Sequence, residues 1–330
     1  MQSWVNKLWY QGHPLRFALW PLSILFGAIT WLRRQLFTLG IKKATKLPVP
    51  VIIVGNITVG GSGKTPTVIY LIELLRTHGF KPGVISRGYG VEIEGVRVVL
   101  PEDAPSSVGD EPAMIVSRTG VPMVVGAKRV DAANKLLTEF DVDIIISDDG
   151  LQHYQLARDI ELIILDGERR LGNGMLLPAG PLREASWRLK SVDQVIVNGG
   201  EAKSAEQQMQ LEPTKWLPVS PVHKGSLPPS HSQPLVAMAG IGNPQRFFDT
   251  LTEQGYQIEL TQAFDDHSTY SDSTLNELAN GRLLVMTEKD AVKCRDFAKD
   301  NWWYLAVDAK LSASFDQQLL AKIDRLVADK

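Results

Sequence analysis

Val51–Thr65 reads VIIVGNITVGGSGKT, and this stretch decides the fold. Four apolar residues, Val51 to Val54, predict a buried strand that stops at Gly55. A glycine-rich loop follows, then Lys64-Thr65. Beyond Pro66, the spacing of Val68, Ile69, Leu71, Ile72, Leu74 and Leu75 predicts a helix over 64–78. Strand, glycine loop, Lys-Thr and helix are the parts of a phosphate-binding P-loop. Glycines at 60, 61 and 63 let the backbone curl and aim successive N–H groups at phosphate oxygens. The helix N-terminus adds its partial positive charge. Lys64 can reach the β- and γ-phosphates of a nucleotide, and the Thr65 hydroxyl can ligate Mg²⁺. Pro66 suits a first helical turn, where its missing N–H costs nothing. The expected binding loop is Thr58, Val59, Gly60, Gly61, Ser62, Gly63, Lys64 and Thr65. Its first position departs from the strict pattern, which asks for glycine at Thr58. The strand before and the helix after carry the reading past that departure.

A chain of 330 residues has room for two domains of ordinary size. Hydrophobic residues make up 44%, enough for true cores and too many for a disordered chain. A formal net charge of -2 gives no global attraction to nucleic acid. Cys294 is the single cysteine, which precludes an internal disulfide and fits a reducing compartment.

Working outward, the N-terminus is unusual. Residues 17–32, FALWPLSILFGAITWL, carry no charge, and four of the eight tryptophans (Trp4, Trp9, Trp20, Trp31) lie in this region. Arg16 precedes the run; Arg33, Arg34, Lys42, Lys43 and Lys46 follow it. A spanning helix needs about 20 apolar residues, and this run is shorter and carries Pro21. A secretory signal is weakened by the lack of a small-x-small cleavage site. A helix packed on the protein's own core competes. The Trp content and basic edge favour a helix at a membrane surface over residues 1–46.

Downstream, strands are expected at 82–86, 96–100, 122–125, 143–147, 161–165 and 192–197, with helices near 111–119 and 128–140. Alternation of this kind predicts a doubly wound parallel sheet, here a P-loop domain over 47–215. Residues 201–233 turn polar and rich in Pro and Ser, the signal of a boundary. A second alternating set follows: strands at 235–239, 257–261, 282–286 and 303–307, helices at 245–254, 272–279 and 314–328. The expected fold class is α/β, with two doubly wound domains, the second a smaller one over 216–330 closing on the first.

Several groups could carry chemistry. The apolar strand Ile144–Ser147 ends in Asp148-Asp149, where P-loop proteins place acids that meet Mg²⁺. Asp110 and Glu111 open a predicted helix and can face metal or a substrate hydroxyl, though acids there are also ordinary helix-terminus residues. Asp266-His267 reaches the nucleotide only if the two domains face each other across a cleft. Lys128-Arg129 and the LLPAGPLRE loop, which fixes backbone shape ahead of Arg183-Glu184, supply charge for a phosphate-bearing substrate; surface ion pairing is their bland alternative.

The segments VGNITVGGSGKTP, SRGYG, VGDEP, SDDGLQH, LPAGPLRE, FDDH with Tyr270, and TEKDAVK resemble the tetraacyldisaccharide 4′-kinase family, in the order expected from residue 51 to 293. The resemblance implies transfer of the γ-phosphoryl of ATP to the 4′-hydroxyl of a tetraacyl glucosamine-disaccharide 1-phosphate, a step of lipid A biosynthesis that forms lipid IVA. It implies a peripheral enzyme on the cytoplasmic face of the bacterial inner membrane, with ATP and Mg²⁺ and no obligate protein partner. The family's P-loop falls on Thr58–Thr65. Its aspartate–histidine pair falls on Asp110 and His267, and its acidic magnesium group on Asp148 and Asp149 with Glu111 nearby. Arg129, Gln152, Arg183 and Glu184 match further positions. FDDHSTY departs locally, where proline at 265 and histidine at 268 are expected. Two rivals stand beside this reading. A membrane-positioning ATPase switch needs lysine at Val59, and a P-loop kinase of a soluble metabolite leaves the N-terminal segment unused.

Overall fold

The computed structural model describes residues 2–223 and 225–328. Helices α1 (Gln2–Tyr10) and α2 (Leu15–Thr38) open the chain. Then come β1 (Val51–Gly55), α3 (Lys64–Thr77), β2 (Pro82–Ser86), β3 (Val96–Val98), the single turn α4 (Pro105–Val108) and α5 (Asp110–Thr119). β4 (Met123–Gly126), α6 (Arg129–Glu139), β5 (Ile144–Asp148), β6 (Ile160–Asp166) and β7 (Gln194–Asn198) follow. The long β8 (Gln207–Pro218) leads to β9 (Leu235–Ala239), α7 (Pro244–Glu253), β10 (Ile258–Ala263) and α8 (Asp272–Ala279). β11 (Leu283–Thr287), α9 (Glu288–Cys294), β12 (Trp302–Lys310) and α10 (Ala313–Ala328) complete the described chain.

The strands form one twelve-stranded sheet in the order β10-β9-β11-β12-β8-β7-β6-β1-β5-β2-β4-β3. β1 lies between β5 and β6 and is parallel to both. Every residue of β1, β2 and β5 is buried, which is why these strands read as continuous apolar runs rather than alternating ones. In open parallel sheets ligands settle at the carboxyl ends of the strands, where the order reverses. Here that point lies beyond β1 and β5, so the fold aims Gly55–Gly63 and Asp148-Asp149 at one place.

Two features differ from the sequence expectation. The polar segment after 201 contains β8, whose first residues pair with β7 in parallel and whose remainder pairs with β12 antiparallel. It escapes pattern reading because it is neither a continuous apolar run nor rich in β-branched residues. Pro213 interrupts it, and the register with β12 shifts there, between Ala306 and Val307. The expected boundary at 215/216 thus falls inside a strand shared by the two halves of the sheet. Second, α10 crosses back: Phe315, Leu319 and Ile323 are buried with Ile52, Val68, Leu71 and Ile160 of the P-loop half.

α2 is not a core helix. Ser23 is its one buried residue. Its Oγ donates to the Leu176 carbonyl (2.8 Å) and accepts from the Ala179 N–H (3.0 Å). Gly27 permits that approach, since a Cβ there would lie 2.6 Å from Leu176. Phe17, Trp20, Ile24, Leu25, Ile29 and Trp31 are all more than half exposed.

Candidate active site

The loop after β1 is shaped by contacts from outside it. Val59 N–H donates to Pro181 O (2.9 Å), Arg183 N–H donates to Ile57 O (2.7 Å), and Thr58 bridges Leu182 antiparallel. A residue pinned in extended form needs no glycine, which accounts for Thr58 at the first loop position. Gly63 does need to be glycine. Its φ is +97°, and a Cβ would lie 2.4 Å from Asn198 Nδ2. That amide donates to Ser62 O at 3.2 Å, closing the loop onto the end of β7. From the other half of the sheet, Gly242 packs against Gly61, where a Cβ on Gly242 would stand 3.1 Å from the Gly61 nitrogen.

At the end of β5 the charges are compressed. Asp148 is buried; Ser86 Oγ donates to its Oδ2 (3.1 Å), and its Oδ1 has no partner. Burial, with Asp149 beside it, pushes the Asp148 carboxyl up to about 6 against the pull of Lys64. Burial acts on Asp149 too, but Lys64 at 3.6 Å and Arg183 at 3.1 Å outweigh it and hold that carboxyl below the usual range. Asp149 adopts φ +49°, which turns its carboxylate away from the strand and toward Lys64. Arg129 is buried behind them. It donates through Nη1 to Gly126 O (2.9 Å) and through Nη2 to Asp148 O (3.3 Å), while its Nε is unpartnered. Burial lowers its guanidinium to about 10, although Asp148 and Asp149 pull the other way. Burial together with Arg129 and Arg87 depresses the His153 imidazole to about 4.

The opposite wall comes from α5, α9 and the loop after β10. His267 Nδ1 lies 3.0 Å from Asp110 Oδ2, joining residues 157 apart in sequence. Lys293 Nζ approaches the same oxygen at 3.3 Å. Burial raises the Asp110 carboxyl, but His267, Lys293 and Lys289 outweigh it and hold it below the ordinary carboxylate range. Farther along the same helices, Arg118 donates to Glu288 Oε2 (2.6 Å) and Val307 O (2.9 Å) and pairs with Asp308. Val292 of α9 is buried in the core of the P-loop half.

A cavity of about 860 Å³ separates these walls. Val59–Thr65, Asp148, Asp149, Arg129, Gln152 and Arg183 line one side; Glu111, Asp266, His267 and Lys289 line the other. Of the residues expected from sequence, Asp110 stands just behind His267, its side chain 15% exposed. Glu184 is not on the cavity wall. It is buried and accepts hydrogen bonds from Gln152 Nε2 (2.7 Å), Tyr154 OH (2.7 Å) and Arg188 Nε (3.2 Å). Its carboxylate therefore orients Gln152. Glu111 is paired with Lys289 at 2.9 Å. Sequence reading did not single out His153, Arg87, Lys289, Lys293 or Asn198. The first four sit in stretches it had already quoted (SDDGLQH, SRGYG, TEKDAVK); Asn198 ends an unremarkable strand.

A P-loop facing a carboxylate–imidazole pair across one cavity suits a P-loop phosphotransferase. The model of the tetraacyldisaccharide-1-P 4′-kinase family matches residues 15–324, and the chain belongs to that family of ATP-dependent lipid kinases. It is 88% identical to the tetraacyldisaccharide 4′-kinase of Shewanella pealeana, over all of both chains. It is 67% identical to that of Shewanella oneidensis, over all of this chain and 98% of the relative. A crystal structure of LpxK from Aquifex aeolicus in complex with ATP superposes with a TM-score of 0.80 at 30% identity, covering 94% of this chain and 99% of the other.

Proposed function

We propose that the chain transfers the γ-phosphoryl of ATP to the 4′-hydroxyl of a tetraacyl glucosamine-disaccharide 1-phosphate, working at the cytoplasmic face of the bacterial inner membrane. The observation that carries this reading is that Lys64, Asp149 and His267, contributed by both halves of the sheet, line one cavity. Phosphoryl transfer passes through a loose transition state, so catalysis is mainly positioning and charge neutralisation. Lys64 and the N–H groups of residues 60–65 hold the phosphates. Arg129, buried behind Asp148 and Asp149, adds positive charge to the wall that holds the phosphates. Asp110 orients the acceptor hydroxyl, and His267 orients Asp110.

The residues present fit Mg²⁺. A buried Asp148 with an unpartnered Oδ1, beside the partly exposed carboxylate of Asp149, asks for a cation, and Thr65 lines the same cavity. Among the described residues no cluster of three or more acidic, His or Cys side chains forms a cage. That agrees with an ion completed by nucleotide phosphates. When bound, Mg²⁺ supplies neutralisation of charge between the phosphates. Glu111, across the cavity, is paired with Lys289, and we take Asp148, Asp149 and Thr65 as the ligands.

The lipid acceptor accounts for α2. Extracting acyl chains from a bilayer costs about 0.8 kcal/mol per CH₂, so the enzyme must go to the surface. Ser23, at mid-helix, is hydrogen-bonded to the body of the protein. A spanning helix would drag that polar backbone to the bilayer centre, so α2 lies in the interface. No Asp or Glu occurs before Glu73, and the basic residues around α2 meet anionic headgroups.

Two experiments test this. Labelled γ-phosphate offered with the lipid acceptor should appear on lipid; label found only in inorganic phosphate or in a soluble product would sink the reading. The combined variant Phe17→Glu, Trp20→Glu and Ile24→Glu changes only exposed side chains. It should lower vesicle binding and activity on vesicle-borne acceptor by about tenfold or more, with ATP affinity unchanged. Undiminished vesicle binding would refute the anchor.

A further inference from the structure

Lys289 stands on the wall formed by α5, α9 and the loop after β10. An ammonium has three hydrogens and no lone pair. Lys289 Nζ lies 2.9 Å from Glu111 Oε1, 2.9 Å from Asp266 Oδ1 and 3.4 Å from His267 Nε2, which engages all three. Burial draws this ammonium down, but Glu111 and Asp266 outweigh it and hold it protonated, well above the ordinary lysine range. A ring nitrogen can meet an ammonium only through its lone pair. Nε2 is therefore the bare nitrogen of His267, and the ring hydrogen sits on Nδ1, 3.0 Å from Asp110 Oδ2. Among the described residues the carboxylate beside Nε2 is Asp266, whose Oδ1 is 3.9 Å away and too far to accept a hydrogen from it. The other neighbours do not change this. Lys293 donates to Asp110 rather than to the ring, and the Tyr89 ring lies 5.2 Å from the imidazole, centroid to centroid. The ring is aimed by a backbone at φ +63°, a region costly for histidine.

We propose that Lys289 is a positioning residue that fixes His267 in its Nδ1–H form, so that donation runs from Lys289 to His267 to Asp110. Asp110 Oδ2 then receives two donors, His267 and Lys293, and Oδ1 is left for the acceptor hydroxyl. His267 has no vacant nitrogen with which to take the hydroxyl proton. As the acceptor oxygen bonds to the γ-phosphorus and the bond to the ADP oxygen breaks, that proton passes to Asp110 Oδ1. The functional part of this inference rests on Asp110 meeting the acceptor; the place of the ring hydrogen does not, and is measured without turnover.

The full-length protein, labelled with ¹⁵N in its histidine rings, gives NMR correlation patterns that separate Nδ1–H, Nε2–H and doubly protonated imidazoles. Loss of one set of signals in His267→Gln assigns the residue. Near neutral pH, wild-type His267 should show Nδ1–H alone. Lys289→Met should lose that pattern and lower kcat by about tenfold or more, with KM for ATP held within about twofold. Lys289→Arg, which keeps a cationic donor, should recover part of both. A hydrogen on Nε2 in the wild type overturns the proposal, and so does an unchanged His267 pattern in Lys289→Met whatever happens to kcat. Failure of the wild type to label lipid would strike the kinase reading and leave the ring measurement standing.

Discussion

At the end of β5, Asp148 and Arg129 are buried with an unpartnered oxygen and an unpartnered nitrogen, and their charges are pushed far from ordinary behaviour. Where α5 meets α9, Asp110, Glu111, Arg118, Glu288, Lys289 and Lys293 each touch an opposite charge. One wall of the cavity is under-compensated and the other is satisfied from within. The difference separates a surface shaped for a charged guest from one assembled in advance. An unpaired buried group costs stability that a ligand can return, whereas a paired network holds its geometry while the site is empty.

Changing Lys64 to Ala strips the under-compensated wall of its P-loop cation and should lower γ-phosphate transfer by about a thousandfold. Transfer at the wild-type rate would remove the P-loop from the mechanism. Next comes Asp148→Asn, read in metal-free buffer by denaturant unfolding. The folded chain holds a proton on Asp148 up to about pH 6, above the ordinary 3.8. Protonation therefore favours folding, and stability falls as pH rises from about 4 through 6. The Asn variant should lack that decline and exceed the wild type above pH 7 by up to about 3 kcal/mol. A wild type no less stable than the variant at high pH would mean the carboxylate is already compensated.

His267→Ala breaks the satisfied wall. It should reduce kcat by about a hundredfold while the Kd for ATP moves less than about twofold. Equal losses in both would make His267 structural. The smallest effect concerns the contact between halves. Arg118→Ala leaves Glu288 buried without its partner and should cost about 3 kcal/mol in urea unfolding. Asn243→Ala removes only an exposed 3.3 Å hydrogen bond to Glu168 near the P-loop and should cost less than about 0.5 kcal/mol. Similar losses at the two positions would erase the contrast.

The two walls also differ in how far they can be read from sequence. The P-loop and Asp148-Asp149 were legible because each is a contiguous run whose chemistry follows from its strand–loop context. On the α5–α9 wall the acids and the histidine could be singled out one by one, but their pairing came only through resemblance. A carboxylate and a histidine 157 positions apart carry no local signal of their meeting. The short α9 has no periodicity long enough to detect, and nothing local marks its lysines. Glu184 shows the converse. Its neighbourhood was recognised, but only the fold reveals that Tyr154 and Arg188 claim its carboxylate. β8 was hidden because its pairing residues alternate in burial without an apolar stripe, so its polar lead-in read as linker.

The return of α10 has a consequence for how this chain is made. Phe315, Leu319 and Ile323 complete a core whose other members lie as early as Ile52. On the ribosome, the nucleotide-binding half must wait with an apolar groove uncovered until the final segment emerges. Synthesis order and assembly order are therefore decoupled. A chain halted before residue 313 should retain strands yet remain sticky and protease-sensitive, measurable by limited digestion of the nascent product.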